Sequence, residues 1–389
     1  MGELWMAIRL GQIFFAGVLS LSLLLTPGCA PKAGDVPGDD PATAAPETKP
    51  AQTASCTEAP ITLGGREYAP DTVSLSFRDA DFDELFQNLS GFTGLETVTL
   101  TGSLPALDRL LALKQAYPDV CFVWDFDFCG VAVNTMTEDV DLSGIPLEGT
   151  ASLEALLPCF YRLETVDMSG CGISNEEMDA LNRRWPDTRF IWEVIVGGFR
   201  IRTDVQYFMA YQLRYPYYTY LDYSNLRYCT EITTMDFGHY KVKDLSFVEN
   251  MPNLQYLLLG DTLVQDLTPI GTCTRLRYLE LFYNPICDFW SLTNLSELED
   301  LNLGYTPRYQ IESPDDPWNY QPLLQMTWLD RLWLPGTGLS AEEQALLQAA
   351  LPDTLILFQS SSGSTDQGWR YSPNSYRQRD AMGMDYLHG

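Results

Sequence analysis

The sequence predicts an α/β solenoid: a curved sheet of parallel strands on the concave face, helices and short crossovers on the convex face, and two inserted β-hairpins. Three observations predict it. Residues 244–265, 266–287 and 288–309 are successive copies of one 22-residue pattern, in which Leu254, Leu276 and Leu298 superpose, then Leu257, Leu279 and Leu301, then Leu259, Leu281 and Leu303. LETVTLTG, from Leu95, returns 68 residues later as LETVDMSG, from Leu163. In each copy the last two apolar residues alternate with outward ones, the period of a strand with one buried face. One such turn cannot bury its own leucines, so neighbours must stack to close a core.

Along the chain, residues 1–28 read as a signal peptide, with Arg9 as its positive end and a thirteen-residue apolar core at 13–25. That core is short of the ~20 residues a membrane span needs. LLLTPGCAP follows, and cleavage before Cys29 resembles bacterial lipoprotein processing, in which that cysteine takes lipid. Thr26 and Pro27 depart from the usual box. Residues 29–58 are then a lipidated cysteine and a Pro-rich tether, which cannot form core and would reach ~90 Å if extended at ~3.1 Å per residue. The expected location is extracytoplasmic, anchored by lipid to a bacterial cell membrane.

Residues 59–228 hold the modules of the 68-residue repeat. VSLSF at 73–77 and VDLSG at 140–144 are strands that precede the two copies. In LETVTLTG, Leu95, Val98 and Leu100 point inward; Pro105, at a first-turn position, then Leu107, Leu110 and Leu111 predict a helix. The copy keeps this order with Leu163, Val166 and Met168, then SNEEMDALNRRWPD and FIWEV, and Trp192 matches Trp124. Gly130 and Gly198 each follow a strand and predict hairpin turns. Residues 204–228 are rich in tyrosine and follow no clear period.

Residues 229–360 hold the 22-residue repeats, an insert at 306–324, and a capping module, GTGLSAEEQALLQAALPDTLILF, that lacks the hairpin. The insert carries Trp318 and Tyr320 and reads equally as a lid or as a solvated loop. One continuous solenoid is expected from about residue 60 to 360. Residues 361–389 form a polar tail that starts flexible and can end in a short docked helix.

The form DLxPLxxLxxLxxLxLxxNxI in these copies resembles the 22-residue leucine-rich repeat of the bacterial internalin type. Asn284 is the one asparagine at the ladder position, with Tyr240, Thr262 and Thr306 in its place elsewhere. The resemblance implies a surface protein that binds on its concave face.

Charge and composition narrow the partners. Lys and Arg number 24 against 52 Asp and Glu, a net charge of −28, which repels nucleic acid and anionic lipid. Beyond Cys29 the eight cysteines show no metal spacing, and no bridge is assigned; Cys229 and Cys273 share an interior position. Asp79, Asp81 and Asp83 suggest a calcium loop, but Glu84 and Ser90 stand where it needs glycine and glutamate, so the run reads as an acidic helix start. His239 and His388 are the only histidines and neither accompanies a nucleophile motif. No enzyme activity, metal or cofactor is expected.

The outward strand positions are, in the first row, Thr97, Thr165, Thr234, Tyr256, Tyr278, Asp300 and Arg331, and in the second Thr99, Asp167, Asp236, Leu258, Glu280, Asn302 and Trp333. The N-terminal half is bland. The C-terminal half gathers large rings beside charges, the composition of a binding hot spot. The expected ligand-binding residues are Asp236, Tyr256, Tyr278, Glu280, Phe282, Tyr283, Asp300, Tyr305, Arg331 and Trp333. The competing reading is a ladder of rings stacked on one another to stabilise the sheet. The expected partner is a protein or peptide, with a basic one favoured by the carboxylates; a glycan-binding module and a purely structural envelope component are the alternatives. Replacing Tyr256, Tyr278 and Trp333 with alanine should then abolish binding and leave the fold largely intact.

Overall fold

The parallel strands fall into three sheets. In the computed structural model, which describes residues 59–307, 319–359 and 366–384, strands Ser74–Arg78, Thr97–Thr101 and Cys121–Val123 form the first, and Asp139–Asp141, Thr165–Asp167 and Arg189–Ile191 the second. The third has seven strands: Tyr207–Met209, Thr234–Asp236, Tyr256–Leu258, Tyr278–Glu280, Asp300–Asn302, Arg331–Trp333 and Leu355–Leu357. The hairpins divide the parallel sheet of the solenoid into these three ladders. Asp125–Phe128 with Val131–Asn134, and Glu193–Val196 with Phe199–Arg202, are antiparallel pairs standing between the sheets. Each sends the chain back on itself, so the next strand starts a new ladder. The signal peptide, Cys29 and the tether lie outside the described residues, as does His388.

Both hairpins turn through two left-handed residues, Cys129–Gly130 and Gly197–Gly198, the turn whose twist matches paired strands. A further hairpin, Ile61–Leu63 with Arg66–Tyr68, opens the described chain and was not marked by periodicity. Helices Leu107–Ala116, Asn175–Arg184 and Ala341–Ala350 occupy the places expected of them. Ser174 caps the second, and Ser340 forms a capping box with Glu343 on the third. Pro105 precedes the N-cap of the first, Ala106, rather than lying in its first turn. The acidic run is an N-terminus: Asp81 accepts from the Asp83 and Glu84 amides at the start of helix Phe82–Asn88. Lys114 ties the first module to the second by donating to the Pro158, Cys159 and Phe160 carbonyls, at 2.8, 3.2 and 2.7 Å.

Inside, the leucine columns pack as the period requires. Leu257, Leu279, Leu301 and Leu332 pair in one register, and Leu259, Leu281 and Leu303 form the next column; all are buried. Seven described cysteines are free thiols, and Cys229 and Cys273 are both buried. Asn284 closes two turns at once. Its Oδ1 accepts from the Thr262 and Val264 amides and the Thr262 hydroxyl, and its Nδ2 donates to the Leu259, Leu281 and Phe282 carbonyls.

Nine of the thirteen parallel strands are followed by a turn with a left-handed residue. That residue is Asp79, Gly102, Gly144, Gly170, His239, Asp261, Tyr283, Tyr305 or Gly336, each with φ between 53° and 83°. Asp261, Tyr283 and Tyr305 follow His239 at the 22-residue step, and Gly336 follows the insert. The rim of the concave face is therefore in register with the leucines.

Candidate interaction face

Strand register assembles the two outward rows as the pattern requires. Thr234, Tyr256, Tyr278, Asp300 and Arg331 pair along one, and Asp236, Leu258, Glu280, Asn302 and Trp333 along the other. The expectation that the large rings stand open is overturned. Tyr256, Tyr278 and Trp333 are buried, and Tyr278 has no exposed surface. They are covered by the chain's own C-terminal segment, a 3-10 turn Asp366–Tyr371 and a helix Pro373–Ala381 capped by Ser372.

Chemistry explains the docking. Trp369 stacks on Tyr278, with centroids 5.1 Å apart, and leans on Trp333 at 5.2 Å. Its Nε1 donates to Glu280 Oε1 at 2.8 Å, an oxygen that also receives the Tyr278 hydroxyl at 2.6 Å. Arg370 takes the other oxygen of Glu280 at 3.1 Å. Arg331 donates to Asp300 at 2.6 Å and, with its remaining nitrogens, to the Gly368 and Trp369 carbonyls. The second Asp300 oxygen accepts from Ser372 Oγ and Asn374 Nδ2, at 2.9 and 3.1 Å. Residues 366–384 contain three arginines and two aspartates, a basic stretch in a chain of net charge −28. An aromatic, acidic face thus meets an aromatic, basic segment. Tyr256, Tyr278 and Trp333 are consequently part of a core, and their replacement is expected to release that segment rather than leave the fold intact.

The remaining expected residues lie along the rim. Phe282 is buried with its ring over Gly260, where a Cβ would come within 2.2 Å of it, so only glycine fits. Tyr283 and Tyr305 stack on each other, 4.5 Å apart and 4° from parallel, so the ladder reading describes this pair. Tyr283 is still 50% exposed. In the N-terminal half Asp167 is paired to Arg202, which also holds Asp204. Part of the insert, residues 308–318, lies outside the described residues; Tyr320 is neither lid nor solvated loop, being buried with its hydroxyl donating to the Thr306 carbonyl at 2.6 Å.

An open cavity of about 180 Å³ adjoins the docked segment, lined by Tyr211, Tyr217, Asp236, His239, Phe282 and Arg370. Asp236 Oδ1 accepts from the Gly238 amide at 2.8 Å. Burial pushes its carboxyl above the ordinary value, and the Glu280 charge adds to this against Arg370 and His239. His239 Nδ1 lies 3.2 Å from Asp261 Oδ2, which also accepts from the Tyr218 hydroxyl at 2.8 Å. Tyr217, 62% exposed, sets its ring edge-on to His239. Tyr211, Tyr217, Tyr218 and Asp261 were missed by sequence reasoning. The first three lie in the aperiodic segment, whose tyrosine content was the available signal.

Stacked parallel strands with LxxLxL columns and an asparagine bridging two turns define a leucine-rich repeat solenoid. No protein-family model matches the sequence, and no curated protein matches it. Solved structures similar to the chain include an internalin (InlF) of Listeria monocytogenes, 16% identical over 70% of this chain and 76% of that one, with a TM-score of 0.32. An internalin C2 of the same organism is 17% identical over 69% and 79%, with a TM-score of 0.25. A leucine-rich repeat protein of Leptospira interrogans is 16% identical over 69% and 74%, with a TM-score of 0.30.

Proposed function

We propose that this chain is a non-catalytic bacterial surface protein, held at the membrane by lipid on Cys29 and carried outward on the 29–58 tether. It binds a protein or peptide through the concave face of its C-terminal half. The observation that carries the reading is the row of turns. Apart from Asp79 at the first turn, the left-handed residue is glycine in the N-terminal modules, at Gly102, Gly144 and Gly170, and again at Gly336, but between these it is His239, Asp261, Tyr283 and Tyr305. A side chain in that backbone region costs roughly 1–2 kcal/mol. Stacking Tyr283 on Tyr305 returns about 0.5–1.5 kcal/mol for the pair, less than the strain of two tyrosines. Strain retained at neighbouring turns, with side chains at the rim, marks a place selected for contact rather than for stability.

The carboxylates of Asp236 and Asp261 beside the cavity favour a basic partner, and binding should weaken as salt rises. Panning a displayed random-peptide library against the protein should enrich lysine and arginine sequences. Asp236→Asn with Tyr217→Ala should weaken the enriched peptides at least about tenfold, or about 1.4 kcal/mol. A glycan array run alongside should stay blank. Glycan capture without peptide enrichment would replace this reading with the glycan-binding one, and failure of both would leave a structural component.

A further inference from the structure

We propose that the groove over Tyr256, Tyr278 and Trp333 is a recognition site for an aromatic–arginine peptide segment, filled in cis by Trp369–Arg370, and that a partner carrying such a segment displaces them. This rests on the reading of the concave face as a peptide-binding face and names the partner's chemistry and the device that guards the site.

The contacts are those of a bound peptide rather than of a folded-in element. One ring enters between two rings of the sheet, one guanidinium meets one carboxylate, and Arg331 reads two successive main-chain carbonyls. The seven-stranded ladder is complete at Leu355–Leu357, before the docked segment begins, so no strand depends on it for pairing. Charge selects the occupant: Glu280, Glu299 and Asp300 accept from Trp369, Arg370, Ser372 and Asn374.

The fit is also incomplete. Trp333 Nε1, Arg370 Nε and Ser375 Oγ, with Asn302 Nδ2 on the same face, are buried polar atoms with no hydrogen-bond partner among the described residues. A segment that paired Trp333 Nε1 and Asn302 Nδ2, the two such atoms on the sheet, would bind more tightly than the tail does. The tail compensates by being tethered, which gives it a high effective concentration that a partner must overcome.

The test uses the full chain with Trp369→Ala and Arg370→Ala together, and a fluorescently labelled synthetic peptide of residues 366–384. Anisotropy should show the double variant binding the peptide and wild type binding it at least tenfold more weakly, because its own tail competes. The same peptide with alanine in place of tryptophan should not bind. A cooperative thermal melt establishes that the variant is folded; if it is not, Trp369→Phe with Arg370→Lys loosens the tail more gently and is read in the same way. A folded variant that ignores the peptide overturns the proposal, as does wild type that binds it as well as the variant. Library peptides that still bind at the rim in that case leave the broader reading standing, so the two failures are distinct.

Discussion

Leu279→Asp is expected to abolish the folded seven-stranded sheet under ordinary conditions. Leu279 is wholly buried and pairs in register with Leu257 and Leu301, themselves wholly buried. Removing the leucine costs about 2–5 kcal/mol in lost packing. Placing a carboxylate there without a partner costs several kcal/mol more, or forces it to stay protonated. The sum approaches the ~5–15 kcal/mol by which a domain is typically stable. A circular-dichroism melt should show the transition lost or lowered by at least ~10 °C. A midpoint within about 2 °C of wild type would refute the inward assignment of this column.

Asn284→Ala is the second large effect, and it acts through polar groups alone. The side chain holds two amides of the preceding turn and three carbonyls, all away from water. Alanine leaves these unpaired, at roughly 1–3 kcal/mol for each group that finds no substitute. Several kcal/mol of lost stability should appear as a lower denaturation midpoint. Asn284→Thr should fall between the two. The natural Thr262 and Thr306 each give a hydroxyl to one carbonyl, of Leu259 and of Leu281, where asparagine holds two amides and three carbonyls. Equal stability of the alanine and threonine variants would contradict this account of the ladder.

The repeating part of the molecule was legible because periodicity reports burial directly. Leucine spacing placed the columns, Gly130 and Gly198 placed the hairpins, and the serines at 174 and 340 stand at the N-caps of helices the pattern predicted. What periodicity cannot report is where a ladder stops pairing. The two hairpins were foreseen, but the division into three sheets that follows from them was not. The docked segment was illegible for a different reason. Trp369 and Glu280 are 89 residues apart and meet through side-chain chemistry, with no shared period. The outward carboxylates predict a basic partner; Arg370 supplies that charge from the same chain, and Trp369 adds a ring that the pattern does not predict. The rim residues Asp261 and Tyr218 carried only a weak signal, a strained turn position and an aperiodic run of tyrosines.

The central claim is that the aromatic and acidic face of the C-terminal half holds an aromatic–basic segment while the rim beside it stays open. Hydroxyl-radical footprinting of the full chain, read by mass spectrometry, tests it most directly. Tyr278, Trp333 and Trp369 should be protected, and Tyr217, Tyr283 and Tyr371 should be modified readily, in keeping with their 62%, 50% and 66% exposure. Modification of Tyr278 and Trp333 as fast as Tyr217 would mean that the face is bare in solution, and would contradict the account.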